Sequence, residues 1–492
     1  MASFRTPPVD AMGVLIDGSN YYRELYRAMV RAEHSLVMSG WQFDTGVALL
    51  RGKDAAGAKT PVDFLHLLKH LIETRPSLRV WILAWDFHPL LAMEREWLQK
   101  LVFDWNIPDR LTFVYDSNHA PRGAHHQKFV TVDGELTFVG GMDVCEDRWD
   151  EPSHLMNNPL RLSRGEPHKP FHDVHCVMRG TEFAAAINEL FIGRWDRAKG
   201  EPFDPDLLKP FGTFSTYEFE NALPVPAKTV SIERTDPHRL PDNKDKPCME
   251  ILEMLVSGIE SAEKLIYIET QYFSSHAIAE ALERRMRDVN RPKLNIVLIL
   301  NPEGESWREV LAMGLSQAQL IDRLRNVAKE TQQNLGFYVT VPHCEPGEEP
   351  TRTTYIHSKV MVVDDRWLNI GSANLNNRGM GVDTELNVTV QGDEPELRAA
   401  IERVRVTLLA EHMGTEQVPP VEQLVPSLDA LVNTTRLRFH PSPTEAEKTA
   451  LSLVDPKLIP FDPDHVEPEE PDLLQTMGKA LRQLFDQPRD NG

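Results

Sequence analysis

The chain repeats itself, and that repeat limits what it can fold into more than any other feature. The stretches "HHQKFVTVDGELTFVGGMD" (125–143) and "IHSKVMVVDDRWLNIGSAN" (356–374) share one layout. Each reads His-x-Lys, four residues, Asp, six residues, then Gly-(Gly/Ser)-x-(Asp/Asn). A shift of 231 relates His126 to His357, Lys128 to Lys359, Asp133 to Asp364, Gly140 to Gly371 and Asp143 to Asn374. Ahead of each motif an amphipathic helix and a strand also recur. Tyr22, Leu25, Met29 and Ala32 fall at helical spacing in the first copy, Leu252, Leu255, Ile259 and Ala262 in the second. One register, to within a residue, holds across about 110 residues of each half.

Two copies of one unit predict two pseudo-symmetric halves. Runs such as "LRVWILAW" and "KLNIVLILN" alternate with helical stretches such as "AIAEALERRMRDV". The fold class expected is α/β: two α/β/α sandwich halves packed face to face around one shared site. The halves are expected at 10–215 and 225–415, joined by a Pro-, Gly- and Asp-rich connector. Residues 416–492 read as a Pro-rich extended tail closing with an amphipathic helix, "LLQTMGKALRQLF".

With 492 residues, 41% hydrophobic, the chain is globular, and its net charge of -21 argues against a general nucleic-acid binder. A small basic cleft remains compatible with that charge. Four scattered cysteines form neither a disulfide framework nor a CxxC metal pattern. No basic start precedes a long apolar run, and no window reaches ~18 uninterrupted apolar residues. The expectation is a soluble chain, cytoplasmic or exported without a classical signal peptide, touching membranes peripherally.

Side chains alternate along a strand, so His126 and Lys128 share a face, as do His357 and Lys359. Asp133 and Asp364 fall at turns and read as structural anchors. The returning strands end at Gly140-Gly141 and Gly371-Ser372, where small residues let backbone approach an anion, with Asp143, Asn374 and Ser372 as polar neighbours. Two imidazoles and two ammoniums around one pocket suit displacement at a phosphodiester. One neutral histidine attacks phosphorus, the other donates a proton to the leaving alkoxide, and the lysines stabilise the non-bridging oxygens. This inventory requires no metal cofactor, and a need for Ca2+ cannot be read from it. "HDVHC" (172–176) lacks the remaining ligands of a zinc site. By strand alternation His125 points away from the pocket.

These residues resemble the phospholipase D superfamily, whose members carry paired His-x-Lys-x4-Asp motifs, over roughly residues 10 to 415. "FVGGMDVCEDRWDEPSH", "PFHDVHC", "IYIETQYF", "NPEG", "GSANLNNRGMGVDTE" and "LLAEHMG" are similar to segments of its plant-like branch. The resemblance implies a phosphohistidine intermediate, with His126 as nucleophile and His357 as general acid. It implies that Lys128, Lys359 and Asn374 hold phosphoryl oxygens, and that Glu385 orients His126. By the 231-residue shift Glu385 maps to His154, which becomes the candidate partner of His357. His172 and Asp173 match a pocket-wall element of the family. Asp143 stands where many members have Asn, a form the plant-like branch shares, and is expected to orient Lys128. The usual serine after the Asn-x-Arg element is absent, leaving Arg378-Gly379. The separate lipid-binding domains of plant and animal members have no counterpart in this sequence.

The function implied is hydrolysis of glycerophospholipids at the distal phosphodiester to phosphatidic acid, with transfer to alcohols. A phospholipid membrane surface is the expected partner, and no nucleic acid. With both motifs in one chain a monomer is expected. A cardiolipin-synthase-like transferase stays open as the alternative, with a nuclease behind it. A non-catalytic lipid-binding module is disfavoured, because both His-x-Lys pairs are intact.

Overall fold

The computed structural model describes residues 3–86, 102–103, 110–120, 123–238, 247–302, 314–442 and 462. Its architecture is α/β and duplicated, as the repeat predicts. Seven strands recur in the same order in two sheets. In the first they run Ala11–Ile16, Val174–Arg179, Leu136–Gly140, Phe129–Val132, Ser35–Gly40, Arg79–Trp85 and Leu111–Asp116. In the second they run Ser231–Asp236, Glu385–Gln391, Trp367–Gly371, Val360–Val363, Leu265–Glu269, Asn295–Ile299 and Asn334–Thr340.

Amphipathic spacing decides how the sheets are covered. The helix Asp17–Arg31 buries Tyr21, Tyr22, Leu25 and Met29 against the outer face of the first sheet; Glu250–Ser261 does the same for the second with Ile251, Leu255 and Ile259. Leu252, expected on that buried stripe, is only partly covered. The inner faces meet in one continuous core. Val139, Val174 and Cys176 of the first sheet share it with Ile370, Leu386 and Val388 of the second, and with the helices Thr181–Lys199 and Pro395–Met413. A core drawn from both sheets makes one half without the other an exposed apolar surface.

The segment after residue 416 departs from the extended arm expected of it. The helix Leu424–Leu431 buries Leu424, Val425 and Leu428, and the strand Leu437–Phe439 pairs antiparallel with Asn334–Thr340. The terminal helix expected at "LLQTMGKALRQLF" lies outside the described residues. No described helix is long and apolar enough to cross a membrane.

Candidate active site

Each His-x-Lys lies just ahead of a strand, not within it: the strands begin at Phe129 and Val360, one residue past each lysine. Backbone pairing across the interface fixes these segments instead. His126 N–H donates to Thr384 O at 2.8 Å, and His357 N–H to His172 O at 2.8 Å. The short strand Tyr355–Ile356 of the second half pairs in parallel with Phe171–His172 of the first.

That pairing sets the residue after each acceptor beside the opposite histidine. Glu385, after Thr384, meets His126 Nδ1 at 2.9 Å. Asp173, after His172, meets His357 Nδ1 at 2.5 Å. Each half therefore supplies the carboxylate for the other half's imidazole. His154, predicted beside His357, is elsewhere: its Nδ1 meets Asp150 at 2.9 Å and its Nε2 meets Glu411 at 3.0 Å. The uniform shift fails because the first half is longer between its motif and its carboxylate. Asp173 follows Asp143 by 30 residues, Glu385 follows Asn374 by 11, and the extra length includes the hairpin Leu162–Ser163 and Glu166–Pro167.

Lys128 Nζ donates to His126 O at 3.0 Å and sits 3.3 Å from Asp143 Oδ2. Lys359 Nζ donates to His357 O and, at 3.2 Å, to Gln271 Oε1. Ser372 Oγ donates to Glu385 Oε2 at 2.5 Å and bears on His126 through that carboxyl. Asn374 is buried, and its Oδ1 has no hydrogen-bond partner among the described residues. The motif aspartates are anchors. Asp133 accepts the N–H groups of Glu33, His34 and Ser35, and Asp364 those of Glu263, Lys264 and Leu265, each from a turn position of positive φ. His125 faces away, 3.1 Å from Asp116.

Gly140, Gly141 and Gly371 leave room for close packing. A Cβ at Gly140 would sit 2.4 Å from the His175 ring, one at Gly141 2.4 Å from Asp173 Oδ1, and one at Gly371 2.2 Å from Asn387 Oδ1. Without that space Asp173, between the strands Phe171–His172 and Val174–Arg179, could not lie so close to the motif.

Burial keeps both histidines unprotonated near neutrality. For His126 desolvation dominates, followed by Lys128 and Lys359; for His357 desolvation is followed by Lys359 and Arg148. Each imidazole thus feels cations from both halves. Burial raises Glu385 well above the usual carboxylate range and Asp173 to about 6. It lowers Lys359 to about 7. Sequence reasoning missed Arg148, whose guanidinium lies 5.2 Å from the Phe171 ring, itself 5.1 Å from the His357 ring. The quoted flank "CEDRWD" contained it, but nothing in its spacing pointed to the pocket.

Behind the site His172 bridges the halves. Its Nδ1 meets Glu411 at 2.7 Å and Asp17 at 3.0 Å, and its Nε2 meets Glu269 at 2.9 Å. Burial alone would discharge this imidazole, but Glu269, Glu411 and Asp17 outweigh it and hold His172 protonated. Ser358, between the motif His and Lys, donates to Glu269 at 2.6 Å and ties the cluster to the site. The groups Asp17–His154–His172–Glu411 and His172–Glu269–His412 have ligand atoms within 4.8 Å of one another, but a protonated His172 has no lone pair for a metal ion and itself serves as the cation these carboxylates hold.

Comparison with known proteins gives a consistent picture. Residues 112–217 match the family model described as phospholipase D, and residues 255–404 the one described as cardiolipin synthase, PLD-like domain. Phospholipase D alpha 2 of Arabidopsis thaliana is 23% identical over 529 aligned positions, covering 81% of this chain and 65% of its own. Phospholipase D alpha 1 of Zea mays is 24% identical with the same coverage, and phospholipase D alpha 4 of Arabidopsis thaliana is 25% identical over 83% and 65%. The chain thus spans about two thirds of the length of these relatives. The crystal structure of phosphatidylserine synthase from Haemophilus influenzae Rd KW20 superposes with a TM-score of 0.53 at 14% identity, covering 91% of this chain and 97% of that one, a likeness of fold. A duplicated His-x-Lys site, two family matches spanning just over half of the chain and a set of plant relatives converge: this chain belongs to the phospholipase D superfamily, in its plant-like branch.

Proposed function

We propose that the chain is a phospholipase D that hydrolyses the distal phosphodiester of glycerophospholipids to phosphatidic acid and a free head group. The observation that carries this reading is the crossed pair of dyads, His126–Glu385 and His357–Asp173. In each the carboxyl engages Nδ1, leaving Nε2 for chemistry. The unprotonated His126 attacks phosphorus through Nε2, forming a P–N bond. The P–O bond to the head group breaks, and His357 Nε2 gives that oxygen its proton. Water then attacks the phosphohistidine, His357 takes the water's proton, and the P–N bond breaks. Lys128, Lys359 and Asn374 hold the non-bridging oxygens. His357 must enter the first step protonated although its surroundings discharge it. The phosphodiester's own negative charge, placed among those cations, restores the proton.

An alcohol in place of water gives a phosphatidyl-alcohol, so transfer is a side reaction of the same intermediate. No metal enters these steps, and the substrate surface is a phospholipid membrane. The test uses purified protein, phosphatidylcholine and phosphatidylethanolamine vesicles, and a primary alcohol, with His126→Ala as control. Phosphatidic acid and phosphatidyl-alcohol together support the reading. Transfer product alone, with no hydrolysis, would favour the phosphatidyl-transferase alternative. Neither product from any common phospholipid, with or without calcium, would overturn it.

A further inference from the structure

The pseudo-symmetry between the halves breaks at a second place near the site, and a residue from far along the chain fills the gap. After each motif the chain bridges in parallel to the segment following a central strand: Phe43 to Val144 in the first half, Phe273 to Leu375 in the second. The next residues correspond as well. Asp44 N–H donates to Val144 O at 2.9 Å, and Ser274 N–H donates to Leu375 O at 2.9 Å. In the first half Asp44 also uses its carboxylate: Oδ2 accepts the N–H of Glu146, in the loop after the motif, at 3.2 Å. Ser274 has no carboxylate to offer the corresponding loop.

Asp462 supplies one. It lies 23 residues beyond the strand Leu437–Phe439 yet is only 2% exposed. Its Oδ2 accepts from Ser274 Oγ at 2.6 Å and its Oδ1 accepts the N–H of Arg378 at 3.0 Å. Asn377 Nδ2 donates to its backbone oxygen at 3.3 Å and, more weakly, to its Oδ2 at 3.4 Å. The loop so held leads directly to the nucleophile. Arg378 forms a two-point pair with Asp383, Nη2 to Oδ1 at 2.7 Å and Nε to Oδ2 at 3.0 Å. Asp383 Oδ1 accepts the N–H of Ala124 at 2.8 Å, Thr384 O accepts that of His126, and Glu385 meets the His126 ring.

We infer that Asp462 is a positioning residue for His126: its carboxylate completes the second half, doing for the 374–384 loop what Asp44 does for its counterpart. This inference rests on the phosphodiesterase reading for its effect on turnover, but not for its effect on the loop.

The test compares full-length wild type, Asp462→Asn, Asp462→Ala and the double variant Asp462→Ala/Ser274→Asp, which restores a carboxylate from the position Asp44 occupies in the first half. Turnover of phosphatidylcholine vesicles and hydrogen exchange of the 374–384 peptide are read together. The expected result is a kcat about 10- to 100-fold lower in both single variants with KM little changed. Faster exchange should be confined to 374–384, and the double variant should recover both readouts. Wild-type kcat and exchange in Asp462→Ala would overturn the inference. So would a loss that the double variant fails to recover, or one spread as faster exchange over the whole second half. If wild type turns over no phosphodiester, the functional reading fails, while the exchange comparison still decides whether Asp462 holds the loop.

Discussion

Asp173→Asn is the perturbation that separates the dyad seen here from the one the repeat alone suggests. Asp173 is fully buried and lies 2.5 Å from His357 Nδ1, and the substitution keeps its size while removing its charge. A charge-assisted hydrogen bond contributes about 1.5–3 kcal/mol, and ~1.4 kcal/mol is tenfold in rate, so kcat should fall about 10- to 150-fold. Misorientation of the imidazole adds to this, with ~10⁴-fold as the bound set by loss of an orienting aspartate from a catalytic triad. The assay compares two leaving groups: the choline of phosphatidylcholine, a poor leaving alkoxide, and p-nitrophenolate from a soluble diester. If His357 is the general acid, the penalty should be large for choline and several-fold smaller for p-nitrophenolate, which leaves without a proton. The melting temperature should barely move, because the variant removes a buried charge without opening a cavity. His154→Gln is the contrast. It breaks contacts to Asp150 and Glu411 and should cost about 3–5 kcal/mol of stability, yet leave kcat per folded molecule within a few-fold. Equal penalties for both leaving groups, or a larger kcat loss in His154→Gln than in Asp173→Asn, would refute the assignment of Asp173 as the partner of His357.

Two further outcomes follow from the same geometry. Burial lowers the Lys359 ammonium to about 7, so the group is charged below that pH and loses its charge above it. The pH profile of kcat/KM should therefore fall above about 7, that of kcat at higher pH because bound phosphate favours the ammonium, and Lys359→Arg should flatten the limb. Asp133→Ala and Asp364→Ala each strip three backbone N–H groups of their acceptor, costing about 3–5 kcal/mol by denaturant unfolding, with kcat per folded molecule retained. Loss of kcat at full stability would put these aspartates in the chemistry instead.

Much of this site is legible because a repeat is a statement about symmetry. Spacing alone separated Asp133 and Asp364 from the reacting groups, and the structure finds both on backbone amides at turns. The same symmetry misled at His154, because it assumes equal loop lengths, and only the backbone pairing of His357 with His172 reveals Asp173 as the equivalent of Glu385. In the sequence, Gly140-Gly141 and Gly371-Ser372 suggest room for an anion. The glycines leave room for His175, Asp173 and Asn387, contacts that depend on sheet register and leave no local pattern. Asp462 is the extreme case, since no periodicity in a Pro-rich segment indicates which of its acids is buried 188 positions from Ser274.

The most direct test of the central claim is chemical trapping in His357→Ala with bis(p-nitrophenyl) phosphate. The leaving group needs no proton from His357, while hydrolysis of the intermediate has lost its base, so the adduct should accumulate. The account predicts a burst of one p-nitrophenolate per chain and an aryl phosphate on the peptide carrying His126, both absent when His126→Ala is added. A label on any other residue, or steady turnover with no adduct at His126, would contradict it.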